Sequence, residues 1–217
     1  MTSRDAILER VRAALGPTRA DASTIGAAAA ALLADPASTR PELPAASRID
    51  SFIERVTSPK VAATAQRIGS LAEFPAAVGA YLQARALGRG IALQPHPVLQ
   101  AMDWSGFELH PGVAPDETAA VGIALWGIAE SGSLVFHSGA DSPVLANFLP
   151  LHHIVLLRAA DIVDHLEDYA ALVAGQPMPR NVNLITGASG TTDIEGSLVL
   201  GAHGPRALHI VVLGDAA

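Results

Sequence analysis

Apolar and polar positions change period several times along the chain, and each change marks an element. Ile7, Leu8, Val11 and Leu15 fall on one face of a 3.6-residue helix, with Thr2 and Asp5 at capping-box spacing before it and Gly16-Pro17 ending it. Residues 17–44 hold four prolines among Ala, Ser, Thr and Asp without a sustained period, which predicts a linker carrying one alanine-rich helix. A second helical pattern, Ile49, Phe52, Ile53 and Val56, stops at Ser58-Pro59. The chain is therefore expected to divide into an N-terminal amphipathic helix and variable linker, residues 1–48, and a folded domain, residues 49–217.

Within that domain apolar runs alternate with helical periods. VAAT (61–64), GIALQP (90–95), the two runs of VGIALWGIAESGSLVF (121–136), HHIVLLR (152–158), NVNLITG (181–187) and ALHIVVLGD (207–215) predict strands. Leu71 to Leu87 and ADIVDHLEDYAALVAG (160–175) predict amphipathic helices. Runs that stay apolar rather than alternating belong to strands covered on both faces. The expected class is thus α/β, with a mainly parallel central sheet flanked by helices and an N-terminal helical appendage. In such sheets ligands gather beyond the carboxyl ends of strands, which singles out the loops after Ile128, Leu157 and Ile185.

Composition narrows the chemistry. Half of the 217 residues are hydrophobic, enough for one large core. A formal charge of -7 leaves no basic face for a phosphodiester backbone, so no nucleic-acid partner is expected. The chain has no cysteine, which excludes disulfides, a thiol nucleophile and any iron–sulfur cluster held by its own thiolates. Electrons moving nearby would be carried by another subunit. The first fifteen residues interleave charges with apolar side chains, unlike a secretory signal, and the most apolar early run, 26–34, is far short of the roughly 20 residues that span a bilayer. A cytoplasmic protein with no membrane span is expected.

Two segments mix residue types that an ordinary strand does not need. GASGTTDIEGSLVLGAHGP (187–205) follows a predicted strand, and Gly187, Ser189, Thr191 and Thr192 can bring backbone N–H groups and hydroxyls to an anion. The pattern is neither GxGxxG nor a Walker loop, and a tight turn capped by Ser189, Thr191 or Asp193 is the alternative. Asp193 and Glu195 share a face if extended, where like-charge repulsion would raise one pKa and make an acid–base pair; otherwise they cap a turn and meet solvent. His203, between Gly201 and Gly204-Pro205, can join them as an acid–base partner or in a divalent-cation site, or serve as a hydrogen-bonded structural histidine. Its spacing matches no standard zinc signature, and no metal is assigned. In GIAESGSLVF, Glu130 interrupts apolar sequence, which costs energy unless the carboxylate is paired or used; alternatively ESG is a hairpin turn. His152 and His153 point to opposite faces of their strand, so at most one can look into a site. Glu130, Asp193, Glu195 and His203 are the candidate catalytic residues. Ser131, Gly132, Ser133, Gly187, Ser189, Thr191, Thr192 and Gly204 are the candidate ligand contacts.

GIAESGSLVF, then HHIVLLRAADIV, then ITGASGTTDIEGSLVLGAHGPRALHIVVL, in that order, resemble the LUD-domain family of lactate-utilisation proteins over roughly residues 50–215. The resemblance implies a fold similar to NagB, RpiA and the CoA transferases. It also implies a part in oxidising L-lactate to pyruvate in bacteria, as an accessory or small-molecule-binding component whose two partners are iron–sulfur subunits. The cofactor is left unknown. The family's last motif usually reads GPSRTADIE; here Ala188 and Gly190 replace its proline and arginine, removing a guanidinium fork for a carboxylate, with Arg158 and Arg206 as candidates to replace it. AESG in place of the usual AETG keeps a hydroxyl at Ser131. The rival class is a stand-alone enzyme resembling CoA transferases or phosphosugar isomerases, with Glu130 or Glu195 as nucleophile or base. A small carboxylate or a phosphorylated ligand suits one class or the other.

Overall fold

Local capping explains where the helices begin. Thr2 Oγ1 accepts from Asp5 N while the Asp5 carboxylate accepts from Thr2 N, a reciprocal pair that starts α1 (Ser3–Ala14). Asp21 accepts from the backbone N–H groups of Ser23 and Thr24, both at 2.9 Å, and starts α2 (Ala22–Ala34), the alanine-rich helix. Neither helix buries a residue. The structure, a computed structural model, describes residues 2–15, 20–45, 47–192 and 198–214. Its contacts separate two units, Met1–Arg40 and Pro41–Ala217.

In the larger unit Ser47 caps α3 (Arg48–Thr57), whose 3.6-residue period turns Ile49, Phe52 and Val56 inward. A six-stranded, wholly parallel sheet runs in the order β1 (Thr64–Ile68), β12 (Ala207–Leu213), β7 (His152–Arg158), β4 (Ala119–Ile123), β2 (Gly90–Leu93), β3 (Glu108–His110). Alternation along its central strands divides the core in two. Ile154, Leu156 and Val211 face α4 (Phe74–Ala84), meeting Phe74, Val78 and Leu82, while Val155, Leu157, Ile210 and Val212 face Phe52, Val56, Leu134 and Phe136. The short helix α5 (Pro97–Gln100) completes the first layer through Leu99.

The second face is covered partly by a smaller mixed sheet, β8 (Ile162–Val163), β5 (Trp126–Ile128), β6 (Ser133–His137) and β9 (Val182–Ile185). The chain changes sheets within two residues: Ala124 N still donates to Leu156 O, and Leu125 N already donates to Val135 O. Helix α6 (Leu166–Val173) packs on this sheet through Tyr169 and Val173. A two-stranded ribbon, β10 (Gly190–Thr192) with β11 (Leu198–Leu200), precedes β12.

The α/β class and the mainly parallel sheet flanked by helices are as the sequence predicts. Several elements differ. VAAT is not a strand, because Val61 N and Ala62 N bond back to Ser58 O in a turn that leaves α3 and tucks Val61 and Ala63 into the core; β1 starts at Thr64. Residues 160–175 are not one helix: Ala159–Asp161 is a 3-10 turn, Ile162 and Val163 pair with β5, and only Leu166–Val173 is α-helical. NVNLITG is not buried on both faces, because β9 is a sheet edge with Leu184 half exposed.

Candidate functional site

The end of β9 enters the turn that begins the ITGASG motif, and glycine is required there. Gly187 has φ +78°, and a Cβ at that position would overlap the Val61 carbonyl oxygen. Ser189 N donates to Pro205 O at 2.8 Å and Gly201 N donates to Ser189 O at 2.8 Å, so the turn is stitched to the GAHGP segment. Gly204 lets the two approach, since an added Cβ would sit 3.2 Å from Ser189 Cβ. Between these turns and the 3-10 turn Val144–Asn147 lies a cavity of about 190 Å³. Its wall includes Thr186, Gly187, Ser189, His203, Gly204 and Asn147. His203 is exposed, whereas Asn147 is only 2% accessible and its Nδ2 has no hydrogen-bond partner among the described residues. A buried donor left unpaired costs about 1–3 kcal/mol, and here that donor belongs to a cavity wall.

Hydroxyls connect this cavity to the AESGS hairpin. Ser131 Oγ lies 2.8 Å from Ser133 Oγ, which lies 2.6 Å from Thr186 Oγ1 on the cavity wall. Gly132, at φ +72°, closes the hairpin through its N–H to Ile128 O and packs against Arg55 and Val56 of α3. Glu130 does not line the cavity. Its Oε1 accepts from Leu166 N at 2.8 Å, capping α6 and pairing the carboxylate within the hairpin reading.

The structure thus brings Gly187, Ser189, His203 and Gly204 to one cavity and ties Ser131 and Ser133 to it through Thr186. Gly132 lies in the hairpin turn and packs against α3, and Thr191 and Thr192 lie on the β10–β11 ribbon, opposite Val199 and Leu198. Asp193 and Glu195 lie outside the described residues, so the paired-carboxylate reading and His203's acid–base or metal partnership with them do too. Among the described residues no three His, Asp or Glu side chains converge as metal ligands. The loop after Leu157 contributes nothing to the cavity wall, which is built from the turn after Ile185, as expected, and from the segments leading into β7 and β12.

Sequence reasoning missed Asn147. Its signal was an amide set in VLANFLP, polar among apolar neighbours, the same logic that drew attention to Glu130. The two adjacent histidines separate by face as expected. His153 is buried against Phe136, ring centroids 5.7 Å apart, and burial lowers its pKa to about 4. His152 turns the other way, its Nδ1 3.0 Å from the Tyr81 hydroxyl.

Residues 117–213 match the family model described as LUD domain. The matched region is similar to a LUD domain. Both the hairpin and the cavity lie within it, whereas α3 to β3 precede the matched region. Proteins named lactate utilization protein C are 32% identical over 113 residues in Anoxybacillus flavithermus, 50% of this chain and 51% of that protein, and 39% identical over 104 residues in a Geobacillus species, 44% and 43%. The Escherichia coli protein YkgG is 30% identical over 131 residues, 57% of each chain. The chain spans about half the length of the curated relatives it matches. A crystal structure of a DUF162 family protein from Deinococcus radiodurans superposes with a TM-score of 0.55 at 22% identity, covering 78% of this chain and all of that one, a likeness of fold alone. Among the described residues no helix is long and apolar enough to cross a membrane.

Proposed function

We propose that this chain is the small-molecule-binding component of a bacterial, cytoplasmic lactate-utilisation system, and that the cavity beside Asn147 takes a small carboxylic acid of the lactate and pyruvate class. The unpaired Asn147 amide carries the reading: it is a buried donor held against a cavity wall, with the Thr186 and Ser189 side chains on the same wall. A volume of about 190 Å³ lies below the roughly 300–1,000 Å³ of sites for drug-sized ligands, favouring a compact acid over a nucleotide or CoA. The names of the relatives support the system, and the absence of cysteine supports leaving electron transfer to iron–sulfur partner subunits. Glu130 is engaged with α6, which argues against the loop-glutamate transferase alternative at that residue.

Thermal denaturation of the purified chain with L-lactate, pyruvate, CoA and sugar phosphates tests this reading. A ligand at a hundredfold excess over its Kd stabilises by about 2.7 kcal/mol, so even weak acids register at high concentration. The expected result is a rise in Tm with lactate or pyruvate that Asn147→Ala abolishes. No shift with either acid, or the same shift in the variant, overturns it.

A further inference from the structure

A second polar cavity, of about 420 Å³, opens at the amino ends of β1, β7 and β12. Thr64, His152 and Ala207, the first residues of those three strands, stand on its wall, and two cations join them: Arg85 from the end of α4 and Arg206 from the approach to β12. Among the described residues no carboxylate lines it, and neither guanidinium has an acidic partner within 4 Å. Two exposed arginines on the wall of one concavity give it a positive potential that draws an anion.

The surroundings position those cations. Arg85 lies over the Tyr81 ring, 5.4 Å from its centroid, and Tyr81 stacks on His209 with centroids 4.4 Å apart. The Tyr81 hydroxyl meets His152 Nδ1, leaving Nε2 as the His152 nitrogen open to a ligand, and Thr64 Oγ1 holds His209 Nδ1 at 2.8 Å. Gly201, at φ +86°, packs directly on the Arg206 stem, its missing Cβ 3.0 Å from Arg206 Cβ.

We propose that this cavity is a phosphoryl-binding site, in which Arg85 and Arg206 grip a dianionic phosphoryl group and His152 Nε2 contacts it as a third donor. A planar carboxylate satisfies one guanidinium fork, whereas a tetrahedral dianion presents oxygens to both and to the imidazole. The site is separate from the Asn147 cavity and does not depend on the lactate reading. Its occupancy is coupled to pH through His152. That imidazole is held below its ordinary pKa by burial and by the charges of Arg85 and Arg206, with Tyr81 and His209 the other titratable groups packed around it. A dianion offsets both cationic charges, favours the imidazolium and binds more tightly as pH falls.

Calorimetric titration at low ionic strength tests the site, with sulfate as a probe whose charge does not change with pH. Saturable binding is expected, weakened at least tenfold by Arg85→Gln and by Arg206→Gln, unchanged in Asn147→Ala, and stronger at pH 5.5 than at pH 8 in a way that His152→Gln flattens. Inorganic phosphate and glycerol phosphate identify the source: equal affinity assigns a free-anion site, and tighter glycerol phosphate assigns a phosphomonoester. Absence of saturable sulfate binding, retained affinity in both arginine variants, or acetate and lactate binding as tightly as phosphate overturns the proposal. Asn147→Ala losing sulfate would place the anion in the other cavity and overturn it as well.

Discussion

At the scale of single residues, two positions separate stability from binding. Gly187 has both a left-handed backbone and no room for a side chain, because a Cβ would overlap the Val61 carbonyl. Gly187→Ala combines the usual 1–3 kcal/mol cost of such a backbone in a non-glycine residue with that overlap, so a loss of at least about 3 kcal/mol is expected from urea denaturation. Asn147 behaves in the opposite way. Its unpaired buried amide weakens the fold, so Asn147→Leu is expected to leave stability unchanged or raise it by up to about 1 kcal/mol while the acid-dependent Tm shift disappears. A large loss of stability in Asn147→Leu would show that the amide is structural.

At the scale of elements, the hairpin between β5 and β6 and the start of α6 depend on each other through one carboxylate. Glu130 Oε1 accepts from Leu166 N, and Glu130 N donates to Asp164 O. Glu130→Ala is expected to cost about 1 kcal/mol, the size of a lost N-cap, with ligand binding retained; Glu130→Gln, which keeps an acceptor, is expected to cost less. Loss of ligand binding without loss of stability in Glu130→Gln would return this residue to the chemistry. The pair also shows what the sequence made legible. An apolar run broken by ESG identified both the hairpin and the need to pair Glu130, but its partner, Leu166 N, lies 36 residues away and has no side-chain signature. Strands β7 and β12, covered on both faces, were visible as unbroken apolar runs, whereas β3 is three residues long and only partly covered. The VAAT run was misleading because burial, which Val61 and Ala63 have, does not distinguish a strand from a packed turn. The cavity's glycines and Ser189 were readable from composition, while Arg85 and His152 meet only because α4 ends over the start of β7.

At the scale of the whole molecule, acid attacks both halves of the core at once. His153 faces the layer containing Phe136, and His209, one strand away, faces Tyr81 on the opposite side of the sheet. Burial lowers both to about 4, with Arg85 a second cause at His209. In the unfolded chain each returns to its ordinary value near 6.5, so between pH 6.5 and 4 the unfolded state binds more protons than the folded one. Stability is therefore full above pH 6.5 and falls as pH drops through that window, by an upper bound on the order of 3 kcal/mol for each histidine. Urea denaturation at pH 7.5, 6.0 and 5.0 is expected to show this decline, reduced in slope by His153→Gln; a slope unchanged in that variant would assign the acid sensitivity elsewhere. Sulfate binding at His152 has the opposite pH dependence. A protein that loses folding free energy while gaining anion affinity over the same interval separates the two effects: at pH 5.5, saturating sulfate is expected to restore part of the stability lost to His153 and His209, and not to do so in Arg206→Gln.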